Sequence, residues 1–324
     1  MSTGSAELGA GVGVHASHVE PTATPPTHVI SARQFDRALV DEVIARARAM
    51  EGVRDARLAG RIMATLFYEP STRTRMSFES AMLRLGGQVI GTEAAGAFSS
   101  AVKGETLEDT IRMVDSYADV IVLRHDRAGS AARAAEISRV PIVNAGDGPG
   151  EHPTQALLDI CTIQRELGRI EDLHVALCGD LRYGRTARSL VVLLSQYPGV
   201  RLSFVAPTVV QMGADIVDLV AARGVPCRVT DSLAEIAPDI DVLYQTRIQR
   251  ERFEDLSEFE MARGSTRVDV EFMRRLPEHA VVLHPLPRVD EIDPAVDSDP
   301  RAAYFRQAAN GVTVRMALLD MLLG

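Results

Sequence analysis

The sequence contains few cysteines and no apolar run long enough to cross a membrane. Cys161, Cys178 and Cys227 lie far apart among apolar neighbours, without the spacing of metal ligands. An odd number of scattered cysteines is typical of packed, reduced thiols in a reducing compartment, so we expect a cytoplasmic protein without a metal site. No apolar segment approaches the ~20 residues that span a bilayer, and we therefore expect no membrane partner.

Positive charge is also scarce. The formal net charge is −9 at pH 7, which argues against nucleic acid or an acidic membrane surface as a partner. Residues 1–32 contain no Lys or Arg, which argues against a usual secretory signal and an Arg-rich transit peptide. Residues 1–27 are rich in small residues, threonine and proline, and we expect a disordered tail. The scattered His15, His18 and His28 are expected to be solvated rather than metal ligands.

Lysine is nearly absent, because the 35 Lys and Arg residues include a single lysine, Lys103. It lies in a loop of small residues, 98–106, ahead of a predicted helix whose apolar face contains Leu107 and Ile111. Arginine and lysine differ in shape and hydration, so a position that needs a slim, mobile point charge resists a general bias towards arginine. A lone lysine is compatible with chance, but the loop around it favours a functional group.

The most informative segment is Phe67-Tyr-Glu-Pro-Ser-Thr-Arg-Thr-Arg75. It follows an apolar, strand-like run and precedes an amphipathic stretch at helical spacing, so Pro70 and Ser71 mark the start of a helix. The N–H groups of a first helical turn have no partner within the helix, and three hydroxyls and two guanidiniums accompany them within five residues. These clustered donors predict a site for a phosphate-sized anion rather than a capped helix with two solvated arginines.

Strand and helix patterns alternate from about residue 61 onwards, which predicts βαβ units and an α/β fold. We expect two doubly wound parallel-sheet domains joined by a long hinge helix, 152–168. The first domain, 28–151, is expected to include the last helix, 303–324, and the second covers 152–302. Helices are also predicted at 72–85, 105–118 and 130–138. Strands are predicted at 61–68, 88–92, 119–124, 140–144, 173–178, 201–206, 226–229, 241–245 and 280–284.

One glycine turn resembles a nucleotide-binding motif only weakly. Residues 179–186 follow a predicted strand but lack a complete G-x-G-x-x-G, and no acidic residue ends a clear strand about 20 positions later. The chain also has no P-loop motif. We therefore expect no cofactor.

The other polar clusters lie in loops at the ends of predicted strands, where open α/β sheets bind ligands. Each has a structural explanation when taken alone, with the histidines in turns or at helix starts and the arginines in surface ion pairs. Their order along the chain is the informative feature. The clusters are Arg124-His125, His152-Pro-Thr-Gln155, Arg185, Arg247-Ile-Gln249 and His284-Pro-Leu-Pro-Arg288.

These motifs and their order closely resemble the transcarbamoylases, the aspartate/ornithine carbamoyltransferase family, and within it the catalytic chains that act on aspartate. The resemblance covers residues 28–324 and rests on 71–75, the Ser99/Lys103 loop, 152–155, 247–249 and 284–287. It implies transfer of the carbamoyl group of carbamoyl phosphate to the amine of L-aspartate. The products would be N-carbamoyl-L-aspartate and phosphate, a step of de novo pyrimidine biosynthesis.

The resemblance implies a role for each residue at the carbamoyl phosphate site. Arg73 would neutralise the departing phosphate, and Gln155 would bind the carbamoyl amide. Thr74, Arg124 and His152 would polarise the carbonyl oxygen. The full set implied to bind carbamoyl phosphate is Ser71, Thr72, Arg73, Thr74, Ser99, Lys103, Arg124, His152, Gln155, Pro285 and Leu286.

The resemblance also implies how aspartate binds and how the subunits assemble. Aspartate would contact Arg185, Arg247, Gln249 and Lys103. In the family, Ser99 and Lys103 enter the active site of a neighbouring subunit, so a homotrimer with shared sites is implied. Whether a regulatory chain or a dihydroorotase joins the trimer stays open.

The expected chemistry is direct transfer. Attack by the amine builds negative charge on the carbonyl oxygen and then on the phosphate, and one preplaced donor is worth about 3–4 kcal/mol in other enzymes. The motifs contain neither metal ligands nor a covalent nucleophile, so positioning and electrostatics are expected to suffice. The sequence does not identify the base that deprotonates the amine, for which the substrate phosphate is one candidate.

Two alternative functions deserve comparison. Ornithine carbamoyltransferase shares the fold and the first substrate, but ornithine carries a side-chain ammonium, whereas Arg185 and Arg247 suit a dicarboxylic acceptor. Ornithine-type relatives also typically have Cys where this chain has Pro285. A catalytically silent, transcarbamoylase-like assembly protein is expected to have lost part of the 71–75 turn, His152 or the Lys103 loop, and all are present. The sequence therefore favours the aspartate enzyme.

Overall fold

The structure is a computed structural model that describes residues 26–93, 95, 104–248, 255, 257, 259–260 and 266–324. Two fully parallel β-sheets, with helices packed around them, form the α/β fold that the alternating pattern predicts. All of the predicted tail except residues 26 and 27 lies outside the described part of the chain. Among the described residues, no helix is long and apolar enough to span a bilayer.

The nine strands that were predicted all occur, with small shifts at their ends. The first sheet has the strand order β2-β1-β3-β4, and the second has the order β7-β6-β5-β8-β9. The first four strands are β1 (Ile62–Phe67), β2 (Gln88–Glu93), β3 (Val120–His125) and β4 (Ile142–Asp147). The other five are β5 (His174–Cys178), β6 (Arg201–Val205), β7 (Cys227–Thr230), β8 (Val242–Gln245) and β9 (Val281–Leu283).

Helices connect the strands and pack on the sheets. Helix α3 ends at Val114 and is shorter than the predicted 105–118. The residues from Asp115 to Ala118 form turns instead of further helix. The helices are α1 (Arg37–Ala49), α2 (Thr72–Arg84), α3 (Leu107–Val114), α4 (Ser130–Ile137), α5 (Pro153–Leu167), α6 (Arg185–Leu194), α7 (Ala214–Ala222), α8 (Leu233–Ile236), α9 (Val270–Met273) and α10 (Tyr304–Leu323).

Helix α1 is an element that the sequence reasoning missed. Its N-cap, Asp36, accepts a hydrogen bond from the Leu39 N–H at 2.8 Å. Val40, Val43 and Ala47 are fully buried at helical spacing. A cap residue followed by this spacing is a helix signal that was present in the sequence.

The residues before α1 also belong to the folded part of the chain. The Val29 N–H donates to the Ile142 carbonyl at 2.8 Å, which adds a short parallel bridge beside β4. The Nδ1 atom of His28 accepts a hydrogen bond from the Ile142 N–H at 3.1 Å. The expectation that His28 is solvated was therefore wrong, because composition alone does not reveal pairing with a strand that is distant in sequence.

One apolar cluster joins the two halves of the molecule. It contains Met63 and Val122 from the first sheet as well as Val175 and Leu177 from the second. Helix α5 is buried along most of its length, and the C-terminal helix α10 packs against α1, α2 and α5 and also touches β9. The two sheets are therefore connected through packed helices and not only through the polypeptide chain.

The strand order of each sheet contains a topological switch point, which lies between two neighbouring inner strands. In the first sheet, β1 is followed by β2 on one side, whereas its neighbour β3 is followed by β4 on the other side. In the second sheet, β5 is followed by β6 on one side, whereas its neighbour β8 is followed by β9 on the other side. Ligands of open α/β sheets bind beyond the carboxyl ends of the strands at such switch points. The segments that follow these four strands therefore mark the candidate site.

Helix α2 depends on a glycine at its carboxyl end, and this position provides a test of the fold. Gly86 has a φ of +78°, and an added Cβ would lie 2.7 Å from the Cα of Ala56. Gly60 has a similar φ of +82° but open space around it. We expect Gly60→Ala to lower the free energy of unfolding by about 1–2 kcal/mol through backbone strain alone. Gly86→Ala is expected to cost at least about 1 kcal/mol more, because it adds a backbone clash.

Unfolding of the two variants in urea measures this difference, with Gly60→Ala as the matched control. Equal losses of stability would show that the contact with the 55–58 segment does not constrain α2.

Candidate active site

A cavity of about 780 Å³ lies beyond the carboxyl ends of both sheets. Every predicted site residue that the structure describes lines it, although the residues come from both halves of the chain. Ser99, Lys103 and Gln249 lie outside the described residues. The predicted residues that line the cavity are Ser71, Thr72, Arg73, Thr74, Arg124, His152, Gln155, Arg185, Arg247, Pro285 and Leu286.

The start of α2 forms one wall of this cavity. Ser71 is the N-cap of the helix, but its hydroxyl makes no capping hydrogen bond. The first-turn N–H groups of an α-helix have no partner within the helix and carry partial positive charge, so this end of α2 suits an anion. Arg73 lines the cavity, whereas Arg75 pairs with Glu79 at 2.7 Å on another side of the helix. The two arginines of the motif therefore have different surroundings.

Arg124 and Arg185 bring two further cations to the cavity. Arg124, the penultimate residue of β3, donates to the Ala145 carbonyl at 3.0 Å. Arg185 begins α6 and donates to the Gly148 carbonyl. Burial, and next the neighbouring Arg185, lower the pKa of Arg124 to about 10. Burial likewise lowers the pKa of Arg185. Both groups stay protonated at neutral pH, so the cavity holds partly dehydrated positive charge.

Glu69 links these two arginines and is a residue that sequence reasoning did not select. Its Oε2 atom lies 3.3 Å from the Arg124 guanidinium and 3.7 Å from that of Arg185. A carboxylate between two like charges reduces their repulsion. The residue stands inside the 67–75 segment, so proximity to the motif was the available signal.

His152 is the N-cap of α5 and is almost completely buried. Burial lowers its pKa well below the ordinary value, and the charges of Arg185, Arg124 and Arg315 add to this effect. Within the described part of the chain, its Nδ1 atom has no hydrogen-bond partner. The imidazole is therefore neutral at physiological pH, and it offers the cavity a hydrogen-bonding group without a further charge.

Gln155 lies in the first turn of α5 and is oriented by a buried carboxylate, Asp159. The Gln155 Nε2 atom donates to Asp159 at 2.8 Å. The same carboxylate accepts hydrogen bonds from Gln307 of α10 and from Tyr244 of β8. Burial raises the pKa of Asp159 to about 7. Sequence reasoning missed this group, because its three partners are adjacent only after the two halves pack together.

The opposite wall comes from the ends of β8 and β9. Arg247 follows β8, and the loop that contains Pro285 and Leu286 follows β9. His284 shapes this loop, because its Nδ1 atom accepts the Leu286 N–H at 2.8 Å while its Nε2 atom pairs with Glu291 at 2.7 Å. The loop therefore presents its backbone to the cavity from a fixed position.

Arg315 of α10 also borders the cavity and was not identified from the sequence. It is buried, and its guanidinium lies 4.8 Å from the centre of the Phe78 ring. Burial lowers its pKa to about 10, which the attraction of Asp159 partly offsets. Only the position of a helix more than 150 residues beyond His152 in the chain brings this charge to the site.

The protonation state of His152 can be tested directly. We expect its imidazole to remain neutral between roughly pH 8 and pH 6, because burial and three nearby guanidiniums disfavour the imidazolium. NMR titration of ring-labelled histidine measures this, with His152→Gln used to assign the signal. Of the three charges, that of Arg185 lowers the His152 pKa most, so Arg185→Gln should raise this pKa. A signal that titrates near the ordinary value of about 6.5 would contradict the analysis of the site.

The sequence and the fold are similar to those of known proteins. Residues 27–165 match the family described as "Aspartate/ornithine carbamoyltransferase, carbamoyl-P binding domain", and residues 171–322 match its "Asp/Orn binding domain". The chain is 56% identical over 301 residues to aspartate carbamoyltransferase 1, chloroplastic, of Pisum sativum, which covers 91% of this chain and 78% of that protein. It is 50% identical over 301 residues to the aspartate carbamoyltransferase catalytic subunit of Methanocella arvoryzae, with coverage of 92% and 97%.

Solved structures agree with the sequence matches. Aspartate transcarbamoylase from Trypanosoma cruzi, in complex with carbamoyl phosphate and aspartate, aligns with a TM-score of 0.88 and 43% identity over 94% of this chain and 98% of that chain. The catalytic subunit of M. jannaschii aspartate transcarbamoylase aligns with a TM-score of 0.86 and 48% identity over 92% and 98%. This chain therefore belongs to the aspartate/ornithine carbamoyltransferase family.

Proposed function

We propose that this chain is an aspartate carbamoyltransferase, which transfers the carbamoyl group of carbamoyl phosphate to the amine of L-aspartate. The products are N-carbamoyl-L-aspartate and phosphate. The observation that carries this proposal is the single cavity in which the 71–74 turn meets Arg185 and Arg247 of the second half. The relatives named above, including one solved with both substrates, support it.

We also propose that the molecule works as two domains around this cavity. Residues 28–151 with 303–324 form the carbamoyl phosphate domain, and 152–302 form the aspartate domain, which begins with the hinge helix 152–168. The packing of α10 against α1 and α2 supports this division. Substrates bound between the domains contact both of them, so binding favours a closed arrangement.

Carbamoyl phosphate lies with its phosphate on the first turn of α2. Ser71, Thr72 and Thr74 supply hydroxyls, and the helix supplies N–H groups and the positive end of its dipole. Arg73 and Arg124 neutralise the phosphate. As the phosphate departs, its charge grows, so donors aimed at its oxygens stabilise the transition state more than the bound substrate.

The carbamoyl group lies beside the start of α5. Thr74, Arg124 and His152 donate hydrogen bonds to its carbonyl oxygen. Because His152 is neutral, it does so without adding to the positive charge of the nearby arginines. Gln155 contacts the carbamoyl amide. The backbone of Pro285 and Leu286 closes the site from the other side.

Aspartate enters from the second half of the molecule. Arg185, Arg247 and Gln249 bind its two carboxylates, which places the amine within reach of the carbonyl carbon. The amine attacks, the C–O bond to phosphate breaks, and the departing phosphate accepts the amine proton. The reaction proceeds directly, because the residues around the carbonyl position it and stabilise charge without forming a bond to it.

Acceptor choice distinguishes this proposal from its nearest rival. With carbamoyl phosphate, the purified chain is expected to release phosphate when L-aspartate is added and to remain at background with L-ornithine. Two guanidiniums attract the second carboxylate of aspartate and repel the ammonium of ornithine. Activity with ornithine alone would overturn the acceptor, and activity with neither acceptor would favour a silent assembly protein.

We propose that the enzyme is a homotrimer in which Ser99 and Lys103 complete the site of a neighbouring subunit. Both residues lie outside the described part of the chain, so the support is the family relationship and the single lysine of the sequence. A regulatory chain or a dihydroorotase as an additional partner is compatible with this assembly. Free thiols, with Cys161 and Cys178 buried, support a reducing compartment, and we propose the cytoplasm.

Subunit mixing tests the shared site. Arg73→Ala and Lys103→Ala are each expected to lower kcat/KM by about 10²–10³-fold, because each removes a cation from the developing charge. Arg75→Ala is the matched control and is expected to retain activity, since Arg75 pairs with Glu79. When the two inactive variants are unfolded, mixed and refolded, about a quarter of the sites in random trimers regain both residues. No recovery in a refolded trimer would contradict sharing.

A further inference from the structure

Asp159 is a completely buried carboxylate in the middle of α5, behind the cavity wall. Its Oδ1 atom accepts hydrogen bonds from the Nε2 atoms of Gln155 at 2.8 Å and of Gln307 at 2.6 Å. Its Oδ2 atom accepts a hydrogen bond from the Tyr244 hydroxyl at 2.7 Å. One carboxylate therefore joins a cavity residue of α5 to the C-terminal helix and to the second sheet.

These hydrogen bonds determine which end of the Gln155 amide faces the cavity. An ionised carboxylate only accepts hydrogen bonds, so both glutamines turn their NH₂ groups towards Asp159. The orientation of Gln307 is fixed independently, because its Oε1 atom accepts the backbone N–H of His284 at 2.8 Å. With the Gln155 NH₂ group engaged by Asp159, its carbonyl oxygen is the end left to contact a ligand.

We propose that Asp159 is a positioning residue for donor selectivity: it holds Gln155 with its carbonyl oxygen towards the substrate, so that the site selects an acyl phosphate that carries NH₂ over one that carries a methyl group. This inference rests on the proposed function, since it concerns how that same site recognises the carbamoyl group. A fixed acceptor gains a hydrogen bond from NH₂ and is left unpaired beside a methyl group.

The charge state of Asp159 suits this role. Burial raises its pKa to about 7. The hydrogen bonds from Gln307, Tyr244 and Gln155 and the charge of Arg315 act in the opposite direction, because they favour the ionised form. At roughly pH 8 the carboxylate is therefore mostly ionised, which enforces the orientation of both amides.

Two stable phosphonates isolate the contact with the amide. Phosphonoacetamide and phosphonoacetone differ only in NH₂ against CH₃, and both are measured as inhibitors competitive with carbamoyl phosphate at roughly pH 8. The wild-type enzyme is expected to prefer phosphonoacetamide by about tenfold or more. In Asp159→Leu this preference is expected to fall to within about threefold, with inorganic phosphate and phosphonoacetone bound as before.

Two further variants control for general damage. Asp159→Asn retains a carbonyl oxygen for the two glutamines and can donate its NH₂ to Tyr244, so it should keep most of the preference. If Asp159→Leu does not fold, Asp159→Ala replaces it, because a water molecule in the vacated space donates as readily as it accepts and does not fix the amide. Binding of inorganic phosphate with wild-type affinity establishes that each variant is folded.

The outcomes separate this inference from the proposed function. A folded Asp159→Leu or Asp159→Ala enzyme with the wild-type preference would overturn it, as would equal weakening of both phosphonates and of phosphate. A wild-type enzyme that carbamoylates aspartate without preferring phosphonoacetamide would overturn the inference alone. A wild-type chain that does not carbamoylate aspartate would overturn the proposed function instead.

Discussion

Mutual repulsion among Arg73, Arg124 and Arg185 is the constraint on which the rest of the structure depends. Guanidiniums that share a partly dehydrated cavity repel one another: burial lowers the pKa of Arg124 most, and the charges of Arg185 and Arg73 lower it further. Hydrogen bonds to the backbone hold two of the arginines in place, since Arg124 donates to the carbonyl of Ala145 and Arg185 to that of Gly148. Glu69 lies between these two guanidiniums and reduces their repulsion. An anionic ligand relieves the repulsion, so the positive charge of the cavity favours anions before any specific contact forms.

The neutral groups of the cavity follow from the same constraint. Further positive charge beside the arginines would add to their repulsion. His152 is kept neutral by burial and by the very cations that surround it. The buried Asp159 accepts a hydrogen bond from Gln155, which adds a neutral amide to the cavity wall. Arginine therefore supplies the positive charge of the cavity, while His152 and Gln155 add neutral hydrogen-bonding groups.

Much of the fold was predictable because it depends on local patterns. Alternation of apolar strands and amphipathic helices predicted both sheets, and the polar loops after the strands predicted the residues of the cavity. The first helix, α1, was missed although Asp36 and the spacing of Val40, Val43 and Ala47 marked it. His28 was misjudged, since its partner at Ile142 is distant in the sequence. Asp159 and Arg315 are lone charges among apolar neighbours in the sequence, but the groups that they face come from distant segments, so their contacts were missed for the same reason.

The sequence by itself determined the elements, the parallel sheets and the chemical inventory of the site, since apolar periodicity and residue types are local properties. It also determined the family, because the motifs and their order suffice for that. Only the tertiary structure decided which groups touch. The neutral state of His152, the link of Glu69 to two arginines and the orientation of Gln155 by Asp159 arise from burial and from contacts between distant segments. Desolvation and Coulomb interaction depend on distance in space, which the order of residues does not specify.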